Sequence, residues 1–180
     1  TVDYLQKGGK AIIVGMHSET EMPNFASILD TYGVSLTTGP IADNDAQHYY
    51  NMGGPLYLLP NVNSSSYTGS LSGGYVYLPI SLGINYPQNS TTDDTESTEE
   101  SKTTYTSLLD TSDDAVAKNN PNSMQDYGYE DGDDKGPFSV GLAVEDKVDD
   151  DHTTQLVVFA SPYVFSDEAV SYTHLTLPTK

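Results

Sequence analysis

The chain has 180 residues, 26 acidic side chains against 7 lysines and no arginine, and a formal net charge of −19. It contains no cysteine, which removes disulfide frameworks, thiolate zinc sites and cysteine nucleophiles. Acidity without arginine argues against a nucleic-acid partner, and no apolar run approaches the roughly 20 residues of a membrane-spanning helix.

Val2 and Leu5, followed by Gly8-Gly9, read as the end of an amphipathic helix with a glycine cap. Ala11-Ile12-Ile13-Val14 reads as a strand. Met22-Pro23-Asn24 opens a helix, with proline where no N–H is needed. Phe25, Ile28, Leu29 and Tyr32 then recur at helical spacing and predict one buried face. Gly33 closes that helix and Val34-Ser35-Leu36 alternates like a strand, which predicts a βαβ unit of a parallel sheet.

A Gly/Pro/Asn-rich stretch over 38–55 leads to Leu56-Tyr57-Leu58-Leu59-Pro60, expected as a buried strand. Tyr67 to Leu71 is expected to start a helix, and Gly74 to Pro79 to form a strand. Asn89 to Ser101 holds no apolar residue, so a mobile acidic loop is expected over about 87–104. Ser107-Leu108-Leu109 predicts a strand, and Asp110 to Asp114 a turn or cap. A second acidic loop is expected over 119–135. In 138–144, Phe138, Val140, Leu142 and Val144 alternate as one face of a half-buried strand. Glu145 to His152 reads as a charged hairpin, and Thr154 to Ala160 as a strand buried on both faces.

The charge is unevenly placed. Residues 1–92 hold 6 acidic side chains and 2 lysines, whereas residues 93–168 hold 20 and 4. The acidity therefore belongs to the loops and the late hairpin more than to the sheet. Val170 to Thr179 resembles the translation of a sequencing adapter, so residues 170–180 are expected to be a non-native tail. Residues 1–169 are then expected to be a fragment of a single domain, truncated at both ends. The pattern predicts an α/β fold, a three-layer sandwich around a mostly parallel, mixed sheet.

Several landmarks, taken in order, resemble the auxiliary domain of ABC-type transport systems, the family that includes the gliding-motility protein GldG. They are Tyr4-Leu5 to Ala11, Met22 to Val34, and Leu56 to Pro60. Leu108 to Asp113, Gly136 to Val144, and Leu156 to Asp167 complete the series. The resemblance implies a glutamine-amidotransferase-like scaffold not known for catalysis. It also implies an extracytoplasmic domain, membrane-anchored in the full-length protein, working beside an ABC permease and ATPase. It carries over no catalytic, cofactor-binding or metal-binding residue.

The chemistry-bearing residues point the same way. An amidotransferase-like elbow needs cysteine, and Gly69-Ser70-Leu71-Ser72-Gly73 lacks the spacing of a serine elbow. His17, His48 and His152 leave a hydrolytic Ser-His-Asp site as the alternative reading. No glycine-rich phosphate cradle is present. His17, Glu19 and Glu21 follow a predicted strand and would need His48 or Asp110 to complete a metal site. A solvated helix entrance accounts for them more simply. Asp126 to Asp134 and Asp149 to Asp151 offer hard oxygens for Ca²⁺ without EF-hand spacing, and solvated acidic loops are the simpler expectation. Tyr49, Tyr50, Tyr75, Tyr77, Tyr127 and Tyr129 are candidates for a glycan- or peptide-binding face. For Tyr75 and Tyr77 the simpler expectation is packing from one strand face. No metal, cofactor or catalytic residue is assigned.

Overall fold

The computed structural model describes residues 1–18, 20–69, 71, 74–88, 103–120 and 126–165. A short helix α1 (Val2–Leu5) leads into strand β1 (Lys10–Val14), then helix α2 (Pro23–Asp30) and the long strand β2 (Ser35–Asp43). Short strands follow: β3 (Tyr57–Leu58), β4 (Asn61–Val62), β5 (Leu78–Pro79) and β6 (Leu82–Asn85). Then come β7 (Thr103–Asp110), β8 (Ala115–Ala117), β9 (Asp134–Lys135), β10 (Ser139–Lys147) and β11 (Thr153–Phe159), and a 3-10 turn at Pro162–Phe165.

The local punctuation falls where the residues direct it. Pro23 starts α2, and Gly8 and Gly33 follow the two helices with φ of 82° and 65°. Leu29 and Tyr32 are buried, with Phe25 and Ile28 packed against the same cluster, as helical periodicity requires.

The sheet departs from the expectation. It runs β1-β11-β10-β6-β2-β8-β9, with β7 also beside β10 and β4 beside β7. Only β1–β11 is parallel; every other pair among the described strands is antiparallel. The mostly parallel three-layer α/β sandwich is therefore corrected to a β-rich domain, 38% strand against 11% helix, around a mixed sheet. The reason is connection length. Parallel neighbours need a crossover of about a dozen residues or more, whereas turns such as 148–152 fold the chain straight back. Nor do β1 and β2 pair with each other, so the expected βαβ unit does not close. β2 lies antiparallel to β6 and β8.

Two cores lie on the two sides of the sheet. One gathers Leu5, Leu29, Tyr32, Val34, Leu142, Val144, Leu156 and Val158 beneath α1 and α2. The other gathers Ile41, Leu58, Leu78, Leu108, Phe138, Val140 and Ala143. It is covered by the irregular segment carrying β3 and β5 and by Val164 of the 3-10 turn, and no α-helix packs on it among the described residues. β10 serves both cores. Register shifts between Ser139 and Leu142 send Phe138 and Val140 to one side and Leu142 and Val144 to the other. The single alternating face expected for those four residues is split by that irregularity.

β2 continues through Gly39-Pro40 into the stretch expected as loop. It passes so close to β8 that a Cβ on Gly39 would stand 1.6 Å from the Lys118 carbonyl oxygen. The segment from Tyr67 forms a turn rather than a helix. The strand expected over Gly74–Pro79 is confined to Leu78–Pro79. The first acidic loop lies mostly outside the described residues, as does the 170–180 tail. The described part of the second loop is pinned by an ion pair set out below.

Candidate functional site

β1 has a single described neighbour, and the ladder to β11 defines which side of it stays open. The Gly9 carbonyl accepts from the Gln155 N–H at 3.2 Å, and the Gly15 N–H donates to the Phe159 carbonyl at 2.8 Å. In a parallel ladder the alternate residues carry those bonds. Ala11 and Ile13 therefore turn their backbone groups toward β11, while Lys10, Ile12 and Val14 turn theirs outward. Tyr4 closes the first of these positions. Its hydroxyl accepts the Lys10 N–H at 3.2 Å and donates to the Lys10 carbonyl at 3.3 Å. Gly9 makes the approach possible, because a Cβ there would lie 2.5 Å from the Tyr4 ring. Ile12 and Val14 remain on the open edge, and the Ile12 side chain is 62% exposed.

Beside that edge, Lys10, Ala11, Ile12, Tyr67, Gln155 and Val157 line a shallow groove of about 250 Å³. Two of its polar residues, Tyr67 and Gln155, meet on Glu145 beside it. The Tyr67 hydroxyl donates to Glu145 Oε1, and Gln155 Nε2 donates to the same oxygen at 3.0 Å. Burial and the Glu145 carboxylate push the Tyr67 phenol up to about 12. The Tyr67 and Gln155 hydrogen bonds hold Glu145 below the usual carboxylate range against its burial, with Lys10 adding attraction. At neutral pH an ionised Glu145 carboxylate thus sits beside the groove, shielded by a neutral phenol.

The residues singled out from the sequence are dispersed. His17 Nδ1 faces the Thr38 carbonyl at 3.3 Å, Glu21 is exposed, and Glu19 lies outside the described residues. His48 has Asp45 Oδ2 at 3.0 Å from Nδ1 and Asn61 Oδ1 at 3.2 Å from Nε2. An Asp–His pair of this kind orients a catalytic imidazole only when Nε2 meets a nucleophile; here an amide occupies that position. Asp110 accepts from Asn63 Nδ2 at 2.6 Å and from the Ser107 hydroxyl. Asp149 is paired with His152 at the tip between β10 and β11. Among the described residues no three His, Asp or Glu side chains gather around a common point. Three residues of the segment Gly69 to Gly73 (Ser70, Ser72 and Gly73) lie outside the described residues.

The tyrosines divide. Tyr77 stacks on Tyr57 with centroids 6.2 Å apart and meets Tyr50 edge-on at 6.1 Å. Tyr75 is 82% exposed, so the pair does not share one packed strand face. Tyr129 lies under Lys135 Nζ, 4.3 Å from its ring centre.

Two enclosed charged groups, Lys118 and Asp43, are not among the candidates read from the sequence. Lys118 is fully buried, and its Nζ donates to Asp133 Oδ2 at 2.6 Å and to the Gly128 carbonyl at 2.7 Å. Asp133 also accepts the N–H groups of Asn119 and Glu130, both at 3.1 Å. Burial opposes the charge on Lys118, but Asp133 and Glu130 outweigh it and hold the ammonium above its ordinary range. Burial likewise opposes ionisation of Asp133, and Lys118 with the two N–H donors keeps its carboxyl below the usual range. A lone lysine between Ala115-Val116-Ala117 and an acidic stretch was the only local signal. Asp43 is similarly enclosed, accepting from both the backbone and the hydroxyl of Ser112.

No protein-family model matches the chain, and no curated protein sequence matches it. Among solved structures, the N-terminal domain of mmIFT52 is similar to it with a TM-score of 0.55 and 14% identity. That similarity covers 93% of this chain and 60% of the other, so the chain spans less than two thirds of that neighbour's length. It is a likeness of fold.

Proposed function

We propose that the chain is a non-catalytic, extracytoplasmic auxiliary domain of an ABC transport or gliding-type system, acting through protein–protein contacts. The order of the family landmarks carries this reading. They fall on α1, β1, α2, β3, β7, β10 and β11, and so run through the sheet and its helical cover rather than clustering in one motif. The side-chain chemistry supports it further. His48, Asp110, Asp43, Lys118 and Glu145 each engage neighbours that fix the fold. The surface at β1 offers exposed Ile12 and a strand edge without a partner among the described residues, which suit a macromolecular contact. The partners in this reading are the ABC permease and ATPase subunits.

The test is the intact gene and its product. Membrane-spanning segments flanking this region, and a permease and ATPase that co-purify with the full-length protein from membranes, are expected. A full-length protein with neither would refute the proposal.

A further inference from the structure

We propose that Asp131-Gly132 is a site of spontaneous main-chain modification, through a succinimide to isoaspartate, and that the lengthened turn loosens the Lys118 ion pair. This does not depend on the transport reading. Asp131 is the one position in the sequence where Asp or Asn precedes Gly. It stands second in a turn closed by the Asp133 N–H donating to the Glu130 carbonyl at 3.0 Å, with Gly132 third at a φ of 96°. Both residues are exposed. Among the described residues, neither the Asp131 carboxylate nor the Gly132 N–H has a hydrogen-bond partner. Nothing lies within 4 Å of a Cβ position on Gly132, so its nitrogen can approach the Asp131 carboxyl without a side chain or neighbour in the way.

The Gly132 nitrogen attacks Cγ of the Asp131 carboxyl in its protonated form. A C–N bond forms, the Cγ–OH bond breaks, and the hydroxyl leaves as water with the amide proton. Water then opens the succinimide ring at either carbonyl. Opening at the main-chain carbonyl leaves the chain running through Cγ, longer by one carbon or about 1.5 Å, with no net change in mass. The turn is fixed on both sides of that inserted carbon. The Glu130 N–H donates to Asp133 Oδ2 at 3.1 Å, and the Gly132 carbonyl accepts from Asn119 Nδ2 at 3.1 Å. Lys118 Nζ meets Asp133 Oδ2 at 2.6 Å and Glu130 Oε2 at 3.5 Å, on the two residues that flank the modified pair. A slow reaction at an exposed turn is thereby coupled to a buried charge pair, and its product releases segment 126–135.

Ageing the full chain at neutral pH and physiological temperature tests the site and the coupling. Isoaspartate is expected to accumulate at position 131, read as methyl transfer by an isoaspartyl methyltransferase and as a peptide of unchanged mass and altered retention. The unchanged mass separates it from deamidated asparagine. Asp131→Glu keeps the charge but makes ring closure far slower, and is expected to abolish the signal. The melting temperature of aged wild type is expected to fall, while that of aged Asp131→Glu stays where it was. In Lys118→Met with Asp133→Leu, which lacks the ion pair, isoaspartate is expected to form without that fall. Absence of isoaspartate at 131, or an equal signal in Asp131→Glu, would overturn the site. Isoaspartate that leaves the wild-type melting temperature unchanged, or lowers it equally in the double variant, would overturn the coupling to Lys118.

Discussion

Lys118 and Asp133 meet at 2.6 Å with both side chains shut away from water, and the acidic segment 126–135 is anchored by that pair. Removing one partner of a buried pair strands the other charge, which typically costs about 3–5 kcal/mol. Lys118→Met and Asp133→Asn should each lower stability by that order in urea unfolding. Lys118→Met combined with Asp133→Leu should lose much less than the sum, because neither charge is left behind.

The same pair contributes to the pH dependence of stability at both ends. Asp133 has a lowered carboxyl pKa, so its contribution is present above the unfolded value near about 3.9 and is lost as pH falls below it. Lys118 has a raised pKa, so its contribution is complete below about 10.4 and is lost as pH rises beyond. The stability gap between wild type and Asp133→Asn should therefore close in acid, and that between wild type and Lys118→Met should close in alkali. Urea midpoints measured across pH read both.

Tyr67 offers a spectroscopic test of the groove. Its phenol titrates near about 12, after burial and Glu145 have raised it. In an absorbance titration of the tyrosinates, Tyr67→Phe should remove one late-titrating group. Glu145→Gln should move that group to lower pH while leaving it above an ordinary tyrosine, since burial persists.

Gly39→Ala should destabilise by more than about 1–3 kcal/mol, the usual range for overpacking, because the added methyl meets backbone rather than a movable side chain. Gly54→Ala provides the contrast. Nothing lies within 4 Å of its Cβ position, and only its φ of 85° opposes alanine. Thermal unfolding of the two variants separates loss of space from backbone strain.

Local features of this fold were readable from residues alone. Pro23, Gly33 and the spacing of Phe25, Ile28, Leu29 and Tyr32 specify α2 because capping and helical periodicity are short-range effects. The direction of strand pairing was not readable, because Ala11 to Val14 and Leu156 to Phe159 are apolar runs that suit either sense. The two sides of β10 were hidden by a register shift that depends on β7, far away in sequence. The site follows the same division. Nothing local distinguishes a buried Lys118 from a solvated one, since Asp133 reaches it only after β8 and β9 have paired. Whether Ile12 is covered is decided by which strands flank β1.

The β1–β11 pair also orders events in time. Lys10 to Val14 leave the ribosome 145 positions ahead of their partners Gln155 to Phe159. At roughly 5–20 residues per second, β1 waits on the order of ten seconds for β11. During that interval the apolar run Ala11 to Val14 is open to wrong pairing, a hazard that the late arrival of β11 removes on the side it covers.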